Sequence, residues 1–153
     1  MKAKYINPFL NAAVNLFQVH LGISAKNLAP YINSKPNNLN EISAIIGLAG
    51  ETKGAVVLSF TRETALKIVS RFSGQKYSAI TQDVIDGVGE LTNILAGNAK
   101  KDLMDFKIVI SLPGIVTSTN GYINWPKGIL VITIPFESEF GNFSVIVSLR
   151  DIV

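Results

Sequence analysis

One stretch near the middle of the chain constrains the fold most. From Thr81 onward, apolar residues return at Val84, Val88, Leu91, Leu95 and Ala99, which places them on one side of an α-helix turning by about 100° per residue. Thr81 is positioned to cap that helix and Asp83 lies near the positive end of its dipole, so the spacing predicts a helix running to about Met104. A helix with one apolar side needs a surface to cover. The remaining sequence reads mainly as strands: residues 42–48 and 55–60 flank Ala49-Gly50-Glu51-Thr52-Lys53-Gly54 as a hairpin. Further apolar runs at 106–111, 115–119, 122–125, 129–134 and 143–149 are each bounded by Gly, Pro or Asn, with a turn at Pro113-Gly114.

Two shorter helices complete the pattern. Thr61 caps one that reaches about Phe72 and ends at Gly74; another covers residues 7–20, with Pro8 in its first turn, and closes at Gly22. Residues 24–40 carry Pro30, Pro36 and several asparagines, and read as a loop or an irregular strand. The expected fold is α+β, a mixed or antiparallel sheet with helices packed on one face, in a single domain over residues 1–153.

Composition narrows the function. The chain has no cysteine, which removes disulfides, zinc-thiolate sites, iron–sulfur clusters and thiol catalysis. Lys2 and Lys4 precede a segment broken by polar residues before a secretory apolar core could form, so a cytoplasmic location is expected. No run approaches the roughly 20 apolar residues of a membrane helix. The net charge is only +3 and the lysines and arginines are scattered along the sequence, which argues against nucleic acid and suits an acidic protein partner. Only 16% of residues are charged, against the usual quarter; low charge over rich apolar content suggests a self-interface, and exposed strand edges would allow pairing into a homodimer.

The other side of the central helix is distinctive. Asp86, Glu90, Asn93, Gly97 and Lys101 fall on one polar stripe. It presents a carboxylate and a carboxamide about one turn apart, then a glycine that costs the helix about 1 kcal/mol relative to alanine while letting a partner approach the backbone. Taken alone, a Glu–Asn pair at this spacing is ordinary solvated surface. No cluster of histidine and carboxylates suggests a metal site. His20 reads as a partner for the C-terminal dipole of the first helix, Tyr122 and Trp125 as core or interface aromatics, and Lys100 and Lys101 as solvated residues at the negative end of the long helix.

A faint internal echo relates residues 53–60 to residues 127–134, and shared strand propensity alone would also produce it. If the halves are duplicated, the first helix is the counterpart of the long one. Aligning Asn15 with Asn93 then sets Ala12 opposite Glu90, so the first copy lacks the carboxylate.

Asp86-x-x-x-Glu90-x-x-Asn93, with Gly89 before the acid and Gly97 and Lys100 after it, resembles the motif of the CheX/CheC phosphatases of bacterial chemotaxis. The resemblance runs over nearly the whole length, includes the Ser59-Phe60-Thr61-Arg62-Glu63-Thr64 helix entry, and is closer to the short CheX form with one active helix. The family's downstream proline is matched by Pro113, nearer to Asn93 than the family spacing puts it, a departure in loop length. The resemblance implies a CheC-like fold of pseudo-duplicated halves. It further implies a phosphatase acting on the aspartyl phosphate of a CheY-like response regulator, with no cofactor of its own and Mg2+ supplied by that partner. Glu90 and Asn93 would be catalytic, Glu90 docking and Asn93 placing a water, with Asp86, Gly89, Gly97 and Lys100 in support, and the protein a homodimer. The alternative is an adaptor of the same fold that docks without hydrolysing; an adaptor would be free to lose Asn93.

Overall fold

A computed structural model describes residues 3–33, 39–103, 106–117, 123, 125 and 128–150. The first helix, α1, spans Ala3–Leu16 and continues into a π-helical turn at Phe17–Leu21 that Gly22 closes in the left-handed region with φ 68°. α1 begins a turn earlier than the sequence suggests, which leaves Pro8 inside it. The missing N–H removes one bond just past the first turn, while burial of Tyr5 and Ile6, and the Tyr5–Phe106 ring contact at 5.2 Å, hold that extra turn on the core.

Two short strands, β1 (Ala25–Asn27) and β2 (Tyr31–Ile32), occupy the segment read as loop or irregular strand. The hairpin follows as β3 (Ile42–Gly50) and β4 (Gly54–Phe60). α2 (Arg62–Ser73) and α3 (Gln82–Asp102) have the expected caps: Thr61 Oγ1 accepts from Thr64 N, Thr81 Oγ1 accepts from Val84 N, and Gly74 ends α2 with φ 75°. The last four strands are β5 (Ile108–Ile110), β6 (Gly114–Val116), β7 (Val131–Ser138) and β8 (Phe143–Leu149). The strand expected at 122–125 falls partly outside the described residues; Ile123 and Trp125 join Leu39, Val57, Val131 and Ile146 in a small apolar cluster on the sheet face away from the helices.

All pairings are antiparallel, in the order β1-β7-β8-β4-β3-β5, with β2 also on β7 and β6 also on β3. β7 runs past Ile134, where a strand end was expected. Pro135 sits at the break between β1 and β2, on the side where its carbonyl accepts from Leu28 N at 2.8 Å, so its missing N–H interrupts no ladder.

The order is symmetric about the β8–β4 seam. α1-β1-β2-β3-β4 corresponds to α3-β5-β6-β7-β8, with α2 between, and the short strands of each half pair with the outer long strand of the other. The symmetry relates β4 to β8 and β3 to β7, so the echo between residues 53–60 and 127–134 is strand propensity and not the duplication register. Burial also moves the helix alignment by one residue. Tyr5, Phe9, Ala12 and Leu16 are buried as Val84, Val88, Leu91 and Leu95 are, so Asn11 and Val14, rather than Ala12 and Asn15, stand where α3 carries Glu90 and Asn93. The first half has no carboxylate at the first of these positions and no carboxamide at the second.

The core lies between the sheet and the helices. Phe60, Phe143 and Phe136 form a row across β4, β8 and β7, and Phe17 closes over it. Phe143 stacks at 4.4 Å on Phe17 and 4.9 Å on Phe136, and meets Phe60 tilted at 5.5 Å. On the other sheet face the buried hydroxyl of Ser148 has no hydrogen-bond partner among the described residues. Phe143→Ala is expected to cost about 3–5 kcal/mol, whereas Ser148→Ala should fall within about 0.5 kcal/mol of the parent or slightly above it, because it removes an unpaired buried group. Urea unfolding midpoints at constant slope measure the contrast.

Candidate functional site on the exposed face of α3

The buried side of α3 is Val84, Val88, Leu91, Leu95 and Ala99, as the sequence pattern requires. Thr92 is also buried, and its hydroxyl donates back to Val88 O at 2.7 Å. Those contacts orient the opposite stripe toward solvent: Asp86 and Glu90 are exposed, and Asn93 and Gly97 are half-buried. Gln82 Nε2 donates to Asp86 Oδ1 at 2.8 Å, which ties that carboxylate to its own helix. Glu90 and Asn93 differ from it. Neither side chain has a hydrogen bond or ion pair with any described residue, so a carboxylate and a carboxamide stand side by side with their polar atoms open to a partner.

Three glycines on α3 have three different surroundings. A Cβ on Gly87 would stand 2.7 Å from Val69 Cγ1, so Gly87 sets how closely α2 and α3 approach. Gly89, expected among the docking residues, is buried; a Cβ there would meet Pro113 Cγ at 3.3 Å and Ile115 Cδ1 at 3.6 Å. It lets the 111–113 bulge between β5 and β6 lie against the helix one residue before Glu90. Gly97 has nothing within 4 Å of a Cβ position, so the helix surface there is open. Lys100 is exposed in the last turn, where the dipole favours a cation.

Pro113, matched in sequence only as a downstream proline, is therefore brought to the helix that carries Glu90 and Asn93. The turn expected at Pro113-Gly114 is not a chain reversal: β5 and β6 run the same way along β3, and residues 111–113 bulge between them. The bulge is fixed by Ser111, whose Oγ accepts from Gly47 N at 2.8 Å and donates to Leu112 O at 3.0 Å. Leu112 projects from it 89% exposed, the largest exposure among the large apolar side chains described; the sequence reading does not single it out, although an apolar residue directly before Pro-Gly is a signal for it. His20, at the end of the π-helical turn, lies edge-on to Phe72 at 6.2 Å, away from the stripe. Among the described residues no three histidine, aspartate or glutamate side chains come together to hold a metal ion, and no helix is long and apolar enough to cross a membrane.

A helix face offering a free carboxylate and carboxamide, carried on an antiparallel sheet of duplicated halves, defines a protein of CheC-like architecture. A CheC-like superfamily protein from Shewanella sp. PV-4 superposes with TM-score 0.88 at 29% identity, over 98% of this chain and 99% of that one. A family model described as chemotaxis phosphatase CheX matches residues 42–137, and the chain belongs to that family. Among its relatives, the CheY-P phosphatase CheX of Thermotoga maritima is 28% identical over 142 residues, 91% of this chain and 92% of that protein. CheX of Borrelia burgdorferi, solved in a CheX–CheY–BeF3–Mg2+ complex, superposes with TM-score 0.79 at 26% identity, over 96% of this chain and 98% of that one.

The glycines differ in packing in a way stability can read. Gly97→Ala is expected to stabilise the fold by up to about 1 kcal/mol through helix propensity, since its Cβ touches nothing. Gly87→Ala gains the same propensity but drives a methyl into Val69, and should destabilise by about 1–3 kcal/mol. Thermal unfolding of the two variants checks the opposite signs.

Proposed function

We propose that this protein hydrolyses the aspartyl phosphate of a CheY-like response regulator, with Glu90 docking the partner and Asn93 placing the attacking water. The observation that carries the reading is the pairing of these two side chains on one exposed stripe, both without a partner among the described residues. Membership of the CheX family and the complex in which a Borrelia relative holds CheY support it.

The chemistry asks little of the helix. An acyl phosphate is already a reactive bond, so acceleration comes from positioning. The water oxygen forms a new bond to phosphorus as the phosphorus–oxygen bond to the aspartyl carboxylate breaks, leaving inorganic phosphate and a free carboxylate. The Asn93 amide can accept from that water through Oδ1 and donate through Nδ2 without adding negative charge beside the phosphoryl oxygens. Glu90, about one turn earlier, pairs with a cation of the regulator and fixes the register of the helix on it. The Mg2+ belongs to the regulator's site. Asp86, held by Gln82, supports the helix, and the open backbone at Gly97 admits the partner's surface.

The protein is also proposed to be a homodimer. Among the described residues the sheet ends in unpaired edges, with Val109 69% exposed on β5, and Tyr31 and Ile32 53% and 56% exposed on β2. Light scattering should give twice the 16.5 kDa chain mass; a monomer at every concentration overturns this part.

Phosphate release from a phosphorylated CheY-type regulator with Mg2+ tests the mechanism. Asn93→Ala should lower the rate at least about 100-fold with binding largely kept. Glu90→Ala should raise half-saturation roughly thirtyfold, the equivalent of ~2 kcal/mol. Unchanged turnover in the Asn93 variant rules the mechanism out. If the parent binds regulators without accelerating release from any of them, the protein is an adaptor.

A further inference from the structure

Three cations from neighbouring stretches of the chain, Lys67, Arg71 and Lys76, surround a cleft that the proposed phosphatase reading does not use. The cleft, of about 580 Å³, lies between α2 and the β7–β8 turn, on an apolar floor of Leu66, Tyr77 and Phe140. Lys67 and Arg71, one helical turn apart, line one wall, and Lys76 rises from the segment after Gly74. All three are exposed, and none forms an ion pair with a described residue. Neither of the neighbouring carboxylates, Glu63 and Glu139, lines the cleft.

The walls are held in place. Tyr77 N donates to Ser70 Oγ at 3.0 Å, Tyr77 Oη to Gln75 Oε1 at 3.2 Å, and Arg62 Nη2 to Ser78 O at 3.1 Å. Gly141 packs so closely on Thr64 Oγ1 that no Cβ would fit, and Ser138 Oγ closes the turn on Gly141 O at 2.8 Å. Phe140 is thereby fixed beside α2, with the Arg71 guanidinium 5.7 Å over its ring.

We infer that this cleft docks an acidic peptide segment of a partner protein, an apolar or aromatic side chain seated on the floor and carboxylates spread to Lys67, Arg71 and Lys76. Two features select an extended acidic chain over a compact phosphate. The cations come from two segments, Lys67 and Arg71 from α2 and Lys76 from the stretch after Gly74, and α2 lines the cleft with its C-terminal half, whose dipole disfavours a concentrated anion. Separated carboxylates along a peptide match both the spacing and the apolar floor.

The test needs no regulator and no turnover, so its failure and that of the phosphatase reading are distinguishable. A labelled peptide of about 12 residues, one Phe flanked by Asp and Glu, is titrated against the full chain by fluorescence polarisation, and amide shifts locate it by NMR. Expected are saturable binding with shifts concentrated at residues 66–77 and 140, and affinity at least about tenfold weaker for the Asn/Gln version of the peptide, for its Phe→Gly version, and for the exposed-surface variant Lys67→Gln/Arg71→Gln/Lys76→Gln. Absence of binding near 1 mM, roughly the weakest contact of interest, overturns the inference. So does binding that the triple variant keeps within about twofold, shifts centred on α3, or displacement by inorganic phosphate as effective as by unlabelled peptide.

Discussion

The aromatic row of Phe60, Phe143 and Phe136 with Phe17 above it is the contact on which the rest of the molecule rests. Phe143 sits on β8 beside the seam that joins the two halves, and it touches both flanking strands and the end of α1 at once. Once that row is packed, α1 and α3 lie together over the sheet, and the orientation of α3 follows from the five apolar residues it buries. The outward direction of Glu90 and Asn93 is thus a consequence of core packing: a side chain cannot turn inward on a helix whose opposite stripe is committed to the sheet.

Glycine on α3 shows how one residue type serves unlike ends. At Gly87 and Gly89 the missing side chain brings a neighbouring element close, Val69 of α2 in one case and Pro113 of the bulge between β5 and β6 in the other. At Gly97 it leaves surface vacant. The first two make the platform rigid around the stripe, and the third lowers helix stability where nothing inside the protein benefits, an arrangement that fits a surface shaped for something outside it.

What could be read from sequence was what is local. The caps at Thr61 and Thr81, the stop at Gly74, the hairpin of β3 and β4 and the two faces of α3 each depend on residues a few positions apart, and each stands as expected. β1 and β2 were not distinguishable from loop because both owe their existence to β7, distant in the chain. The passage of β7 through Pro135 depends on a break between two other strands. Gly89 pointed to docking by its place beside the acid, and only the neighbouring bulge shows it to be a packing residue. The basic cleft is legible only in part: Lys67 and Arg71 share a face of α2 by their spacing, but the turn carrying Phe140, which supplies part of the floor, comes from far along the chain.

The exchange of short strands between the halves bears on how the chain reaches this state. Residue 25 pairs with residue 138, and residue 48 with residue 110, so neither half can complete its own edges from its own residues. Duplicated proteins often keep halves that fold in turn; here the closing contacts are long in sequence, a topology that slows folding and couples it across the whole chain. On the ribosome, the first half has to wait with the outer edge of β3 and the strands β1 and β2 unpaired until the last strands emerge. The interlock makes one cooperative unit out of what began as two copies, and it leaves the second copy's helix, the one bearing Glu90 and Asn93, anchored by segments from both.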